Sequence, residues 1–170
     1  DTLVVGGYAD NTGIGATWVW TRTAGVWTQQ GSKLVGSGST GAPFQGRSVD
    51  VSGNGDTLVV GGPIDNFQQG AVWIFTRSAG TWTQQGSKLV GTGASFAAQI
   101  GDSVSLSGDG DTMMAGGSFD VSPGAAWVWT RSGGVWTQQG SKLVGWGGIG
   151  VSRQGFSCSL SHLSLIHISE

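Results

Sequence analysis

The chain has 170 residues, 33 of them Gly and nine Trp, with 11% charged side chains and a formal net charge of −2. Abundant aromatics and scarce charge are the reverse of a disordered composition, and the eight Lys and Arg recur singly instead of forming the basic patch that nucleic acid requires. No apolar run approaches the ~18 residues of a membrane span, and no charged-then-apolar opening marks a signal peptide.

An eleven-residue phrase recurs three times: VWTQQGSKLVG at 26–36, TWTQQGSKLVG at 81–91 and VWTQQGSKLVG at 135–145. Asp1, Asp56 and Asp111 stand 55 residues apart, so the sequence divides into units 1–55, 56–110 and 111–161. The third copy is one residue short where DNFQQG at 65–70 becomes DVSPG at 120–124, a place for a loop. A fixed period of this size predicts a repeat architecture, each unit one supersecondary element stacked on the next.

In chain order, RSVDVS at 47–52 and DSVSLS at 102–107 alternate polar and apolar residues, the period of a half-buried strand. GNGD at 53–56 and GDGD at 108–111 supply the Asn-Gly and Asp-Gly pairs of tight turns, so Asn54, Asp56, Asp109 and Asp111 read as turn formers. TLVVGG at 57–62 and AVWIF at 71–75 are short, β-branched and aromatic runs, predicting strands covered on both faces. TRSAG turns the chain again, and 81–91 predicts an outer fourth strand with one solvent face. Glycine interrupts every segment too often for a helix.

The predicted fold class is all-β: about three four-stranded antiparallel blades of a partial β-propeller. On strand three Trp18 and Trp20, Trp73 and Phe75, and Trp127 and Trp129 stand two apart, so each pair shares a face and is placed to fill the gap to a neighbouring blade. Propellers close with four to eight blades, so the partners implied first are the remaining blades, and unpaired strand edges are expected to pair with other chains.

GRSVDVS at 46–52, GDSVSLS at 101–107 and GFSCSLS at 155–161, with DTLVVGGP at 56–63 and GAVWIFTRSAGTWTQQ at 70–85, resemble FG-GAP repeats, those of the integrin α-chain propeller and many bacterial surface proteins. The resemblance spans residues 1–161. It departs from the motif at Gln45, Ile100 and Gln154, which stand where the family has Phe, and at Tyr8 and Ser118, which stand where Pro63 keeps the family's Pro. It implies an extracellular or cell-surface setting and a non-catalytic scaffold for adhesion or protein contact. Family members hold calcium in a longer loop between strands one and two; SGNGD and SGDGD are too short for six to eight oxygen ligands, so no metal and no cofactor are assigned. LSLIHISE at 163–170 resembles a translated sequencing adaptor, so 162–170 is read as a non-native tail and both ends as cut. His162 and His167 are for that reason not taken as ligands or bases.

No Ser-His-acid set and no carboxylate pair outside the turns remains, which argues against an enzyme. The candidate ligand-binding residues are Asp10, Asp65 and Asp120, recurring in the loop between strands two and three, and Trp146, an aromatic where the other copies have Ser37 and Thr92. The alternative function is a carbohydrate-binding, lectin-like propeller with sites between blades. Arg22, Arg77 and Arg131, with Lys33, Lys88 and Lys142, recur in every copy and are assigned to solvent faces. Cys158 aligns with Val49 and Val104 and reads as a small buried hydrophobe.

Overall fold

A computed structural model describes residues 1–161; the segment read as a foreign tail lies outside them. Eleven strands run in the order β1 (Thr2–Gly7), β2 (Ala16–Thr23), β3 (Val26–Gln29), β4 (Ser48–Val51), β5 (Thr57–Gly62), β6 (Ala71–Ser78), β7 (Thr81–Gln84), β8 (Ser103–Leu106), β9 (Thr112–Gly117), β10 (Ala125–Ser132) and β11 (Val135–Gln138). They form three antiparallel meanders, β1-β2-β3, β4-β5-β6-β7 and β8-β9-β10-β11. The first two sequence units therefore each supply strands two to four of one sheet and strand one of the next, and the third supplies strands two to four of the last.

The covered strands are where the apolar runs place them, and β5 is buried along its whole length. The expected long fourth strand is shorter: only Thr81–Gln84 pairs continuously with β6. Beyond it the phrase bulges away at 86–88 and returns to the same strand, where Leu89 bridges Val72 of β6 in antiparallel sense. Asp10–Gly13 and Asp65–Gln68 are single turns containing two consecutive left-handed residues, Asn11 with Thr12 and Asn66 with Phe67, and so are not helices in the packing sense.

The sheets stack face to face through their aromatic pairs. Trp73 and Phe75 pack with Leu58 and Val60 against Val19 of the first sheet. Trp127 and Trp129 pack with Leu106 and Met113 against Val59, Val72 and Ile74 of the second. Burying one such ring is worth about 1.5–3 kcal/mol. At the first-strand edge the backbones themselves meet: β4 lies against both β1 and β8, and the Gly53 amide donates to the Gly108 carbonyl at 2.9 Å. Toward β3 and β7 the sheets are bridged by side chains instead.

Thr17 occupies the position that is Val72 and Ala126 in the other sheets, is fully buried, and its hydroxyl has no hydrogen-bond partner. An orphaned buried polar group costs about 1–3 kcal/mol. Thr17→Val is therefore expected to stabilise the chain by about 1 kcal/mol, read as a higher urea midpoint at unchanged slope; a lower midpoint would contradict this account.

Candidate binding face and the residues that hold the sheets together

The recurrent phrase is a two-sided connector. Its second Gln faces forward: Gln30 Oε1 accepts from Trp82 Nε1 at 2.9 Å and Arg77 at 3.1 Å, and Gln85 accepts from Trp136 and Arg131 at 2.9 and 3.2 Å. Its first Gln faces backward: Gln84 Oε1 accepts the Ser37 amide at 2.7 Å, and Gln138 the Thr92 amide at 2.8 Å. Gly36 and Gly91 receive the ring of the next sheet's Trp73 and Trp127, whose Nε1 groups donate to the Ser37 and Thr92 carbonyls.

Two of the recurring cations, Arg77 and Arg131, join sheets and do not serve the solvent faces that the sequence suggested, whereas Arg22 and Lys33 stay largely exposed. Arg77 pairs with Asp56 within its sheet, then reaches Gln30 and Thr2 of the preceding one, and Arg131 does the same with Asp111, Gln85 and Thr57. Recurrence reflects an interface made once per sheet pair.

Asp65 and Asp120 are almost wholly buried, ion-paired to Lys88 and Lys142, and accept the backbone amides of Thr40 and Ser95 at 2.7 and 2.6 Å. Asp10 pairs with Lys33 and is more open. These three tie the loop after strand two to the connector, and at Asp65 and Asp120 both carboxylate oxygens are engaged in doing so. Trp146 stands apart from them, 98% exposed. Asn54 and Asp109 close their own turns, accepting from Ser52 and Ser107 and from the amides of Asp56 and Asp111. Among the described residues no three His, Cys, Asp or Glu side chains come together as a metal site.

Two carboxyls are displaced from their ordinary value of 3.8. The Ser107 hydroxyl and the Asp111 amide hold Asp109 below it. At Asp120 burial pushes upward, and Lys142 with Ser95 outweighs it, so this group also titrates low. A depressed folded value means stability present above pH 3.8 and lost as the pH falls through the folded value. The melting temperature is expected to drop as the pH is taken below 3.8, and Asp120→Asn to start lower and show a shallower acid slope. An acid slope unchanged in the variant would refute the assignment. Burial pushes the Cys158 thiol above its ordinary 9.0, against the Ser103 hydroxyl that lowers it, so the half-buried Cys158 is not an activated nucleophile.

A groove of about 530 Å³ runs across all three sheets at the start of the first strands. Its ten lining residues fall at only four repeat positions: Tyr8 and Pro63; Ile64 and Phe119; Phe44, Gln99 and Arg153; and Arg47, Asp102 and Phe156. None of these positions carries the same residue twice. Their neighbours are identical in every copy: Gly7, Gly62 and Gly117 before them, Asp10, Asp65 and Asp120 after, then Gly46, Gly101 and Gly155, and Ser48, Ser103 and Ser157.

Phe44, Gln99 and Arg153 all have left-handed backbones, φ 59°, 57° and 50°, a conformation that costs non-glycine residues energy and concentrates at functional sites. Within the groove the Tyr8 and Phe44 rings lie 5.7 Å apart, the Arg153 guanidinium sits 4.1 Å from the Phe119 ring centre, and Arg47 is 3.6 Å from the buried Asp102. Two guanidinium groups against one carboxylate give the lining a positive balance. The groove residues differ in kind from the recurrent Asp10, Asp65 and Asp120: their signal in the sequence is irregularity, four variable positions beside constant ones.

Neither a known protein-family model nor any curated protein matches the chain.

Proposed function

We propose that the chain is an arc of a β-propeller acting as a non-catalytic binding scaffold, with the groove as its contact face. The observation that carries this is that all four groove positions differ from copy to copy while the groups joining sheet to sheet repeat. A scaffold needs each blade to dock identically, whereas a partner needs an irregular surface. Convergence of the sheets at their first strands supports wedge-shaped blades. The motif resemblance to FG-GAP repeats supports an extracellular adhesion or protein-contact role, and the groove chemistry fits a partner segment with exposed carboxylate and aromatic groups.

Biolayer interferometry of the 170-residue chain against a panel of purified matrix and cell-surface proteins tests this. Arg47→Ala/Arg153→Ala is expected to weaken whatever binding is found by about tenfold or more, ~1.4 kcal/mol, at an unchanged melting temperature. Binding indifferent to both arginines sinks the groove reading.

A glycan-binding reading has one observation in its favour. Two equivalent grooves, about 240 and 220 Å³, lie between the outer strands, one formed by Gln30, Lys33 and Trp82 and the other by Gln85, Lys88 and Trp136. Tryptophan fluorescence titrated with simple sugars decides it: no spectral change removes the lectin alternative.

A further inference from the structure

The tight turn between the first two strands of the second and third sheets is built from a chemically labile pair. Asn54 is followed by Gly55, and neither of the other two asparagines, Asn11 and Asn66, precedes a glycine. Asp109, its counterpart one repeat further on, is the one aspartate that does. Glycine has no Cβ to obstruct its amide nitrogen, which in a mobile chain reaches the side-chain carbonyl carbon of the residue before it. The turn requires both members of the pair. Gly55 and Gly110 have φ 77° and 76°, a region that glycine enters without steric cost, and Asn54 and Asp109 supply the oxygen that closes the turn.

The fold ties down both reacting groups. The Gly55 amide donates to the Ser52 carbonyl at 2.8 Å, which engages the nitrogen that would attack. Asn54 Oδ1 accepts the Ser52 hydroxyl at 2.6 Å and the Asp56 amide at 3.0 Å, which holds the group that would be attacked. Ser52 is buried, and its Oγ also accepts the Thr57 amide at 3.0 Å, so one serine side chain locks the turn to the following strand. The same four contacts recur through Ser107, Asp109, Gly110, Asp111 and Thr112. The Gly53 amide donates to the Gly108 carbonyl at 2.9 Å, so each clamp adjoins the backbone contact between the second and third sheets.

We propose that Asn54 is a gated deamidation site, protected while the Ser52 clamp is closed and modified when the turn opens. On opening, the Gly55 nitrogen gives its proton to solvent base and bonds to Asn54 Cγ. The Cγ–Nδ2 bond breaks, Nδ2 takes a proton from water and leaves as ammonia, and a water molecule opens the resulting succinimide at either carbonyl. The net change is asparagine and water to aspartate or isoaspartate and ammonia. The aspartate product fits in place, as Asp109 shows by accepting the Ser107 hydroxyl at 2.5 Å and the Asp111 amide at 3.0 Å. Isoaspartate adds a methylene to the main chain, displacing Gly55 from Ser52 beside the Gly53–Gly108 contact. One new carboxylate takes the formal net charge from −2 to −3, a permanent record that this junction has opened. Asp109 is the more inert of the two, because ring closure there needs a protonated carboxyl and the Ser107 hydroxyl with the Asp111 amide holds it ionised. The site is a property of the turn and is independent of the groove.

The test follows Asn54 in the full chain at mildly alkaline pH by peptide-mapping mass spectrometry, with a synthetic peptide of residues 50–58 as the unclamped reference. The folded chain is expected to deamidate about tenfold or more slowly than the peptide, because several hydrogen bonds must break before attack, and to reach the peptide's rate in denaturing urea. That comparison needs no variant. Ser52→Ala is expected to speed the reaction at Asn54 by about fivefold or more in the folded chain. Ser107→Ala, the same loss in the next turn, is expected to leave Asn54 at its original rate, with circular dichroism reporting that both variants are folded. A folded chain as fast as the peptide, a chain in urea as slow as the folded one, a folded Ser52→Ala variant no faster than the unsubstituted chain, or equal acceleration by Ser107→Ala overturns the proposal.

Discussion

Trp127→Ala is expected to destabilise the chain by about 3–5 kcal/mol, the range for removing a large buried aromatic. The ring is fully buried, lies between Gly117 of its own sheet and Gly91 of the preceding connector, and donates its Nε1 to the Thr92 carbonyl at 2.9 Å. Truncation leaves a cavity walled by backbone, which cannot collapse as a shell of flexible side chains would, and it orphans a carbonyl. Trp18→Ala removes the same residue from the first sheet, where Gly7 supports the ring and no preceding connector covers it. There the loss is expected to be about 1–2 kcal/mol, in line with partial burial. Urea unfolding followed by circular dichroism compares the two. Equal losses would mean that stacking between sheets contributes little to stability.

Gly61→Ala is expected to cost about 3 kcal/mol, at the upper end for overpacking. A Cβ at Gly61 would lie 2.1 Å from the Gly101 carbonyl oxygen and 2.3 Å from the Ser48 hydroxyl. The first of these is backbone, so the clash is relieved only by moving one sheet away from the next. Gly6 against Gly46 and Gly116 against Gly155 are the same contact at the other junctions. Gly25→Ala separates this effect from backbone strain, because Gly25 has φ 82° with nothing within 4 Å of a new methyl. That substitution is expected to cost about 1–2 kcal/mol, the penalty of a left-handed alanine. If Gly25→Ala proves the more damaging of the two, close approach of the sheets is not what the paired glycines provide.

Strand content was legible because it depends on local patterning. TLVVGG and AVWIF are too short and too β-branched for anything else, and Ala79 with Gly80 forms the two-residue turn after β6 with φ 47° and 79°. The break in the fourth strand was not legible: pairing with β6 is interrupted after Gln85, where Gly86 takes φ 72°, and Leu89 rejoins β6 at Val72 out of the register set by Phe75 and Gln84. Asp65 shows the same limit: a loop carboxylate looks available until Lys88 and the Thr40 amide, 23 and 25 residues away, enclose it.

From the sequence alone came the repeat, the all-β class, the turn positions and the aromatic pairs that join sheet to sheet, since each depends on residues close together in the chain. Only the tertiary structure decided that Gln30, Arg77 and Trp82 form one junction, and that Tyr8, Phe44, Arg47, Phe119 and Arg153 share one groove. The physical reason is that stacking brings equivalent positions of successive units side by side, so residues about 50 apart become neighbours through the common geometry of the sheets, which no local propensity encodes.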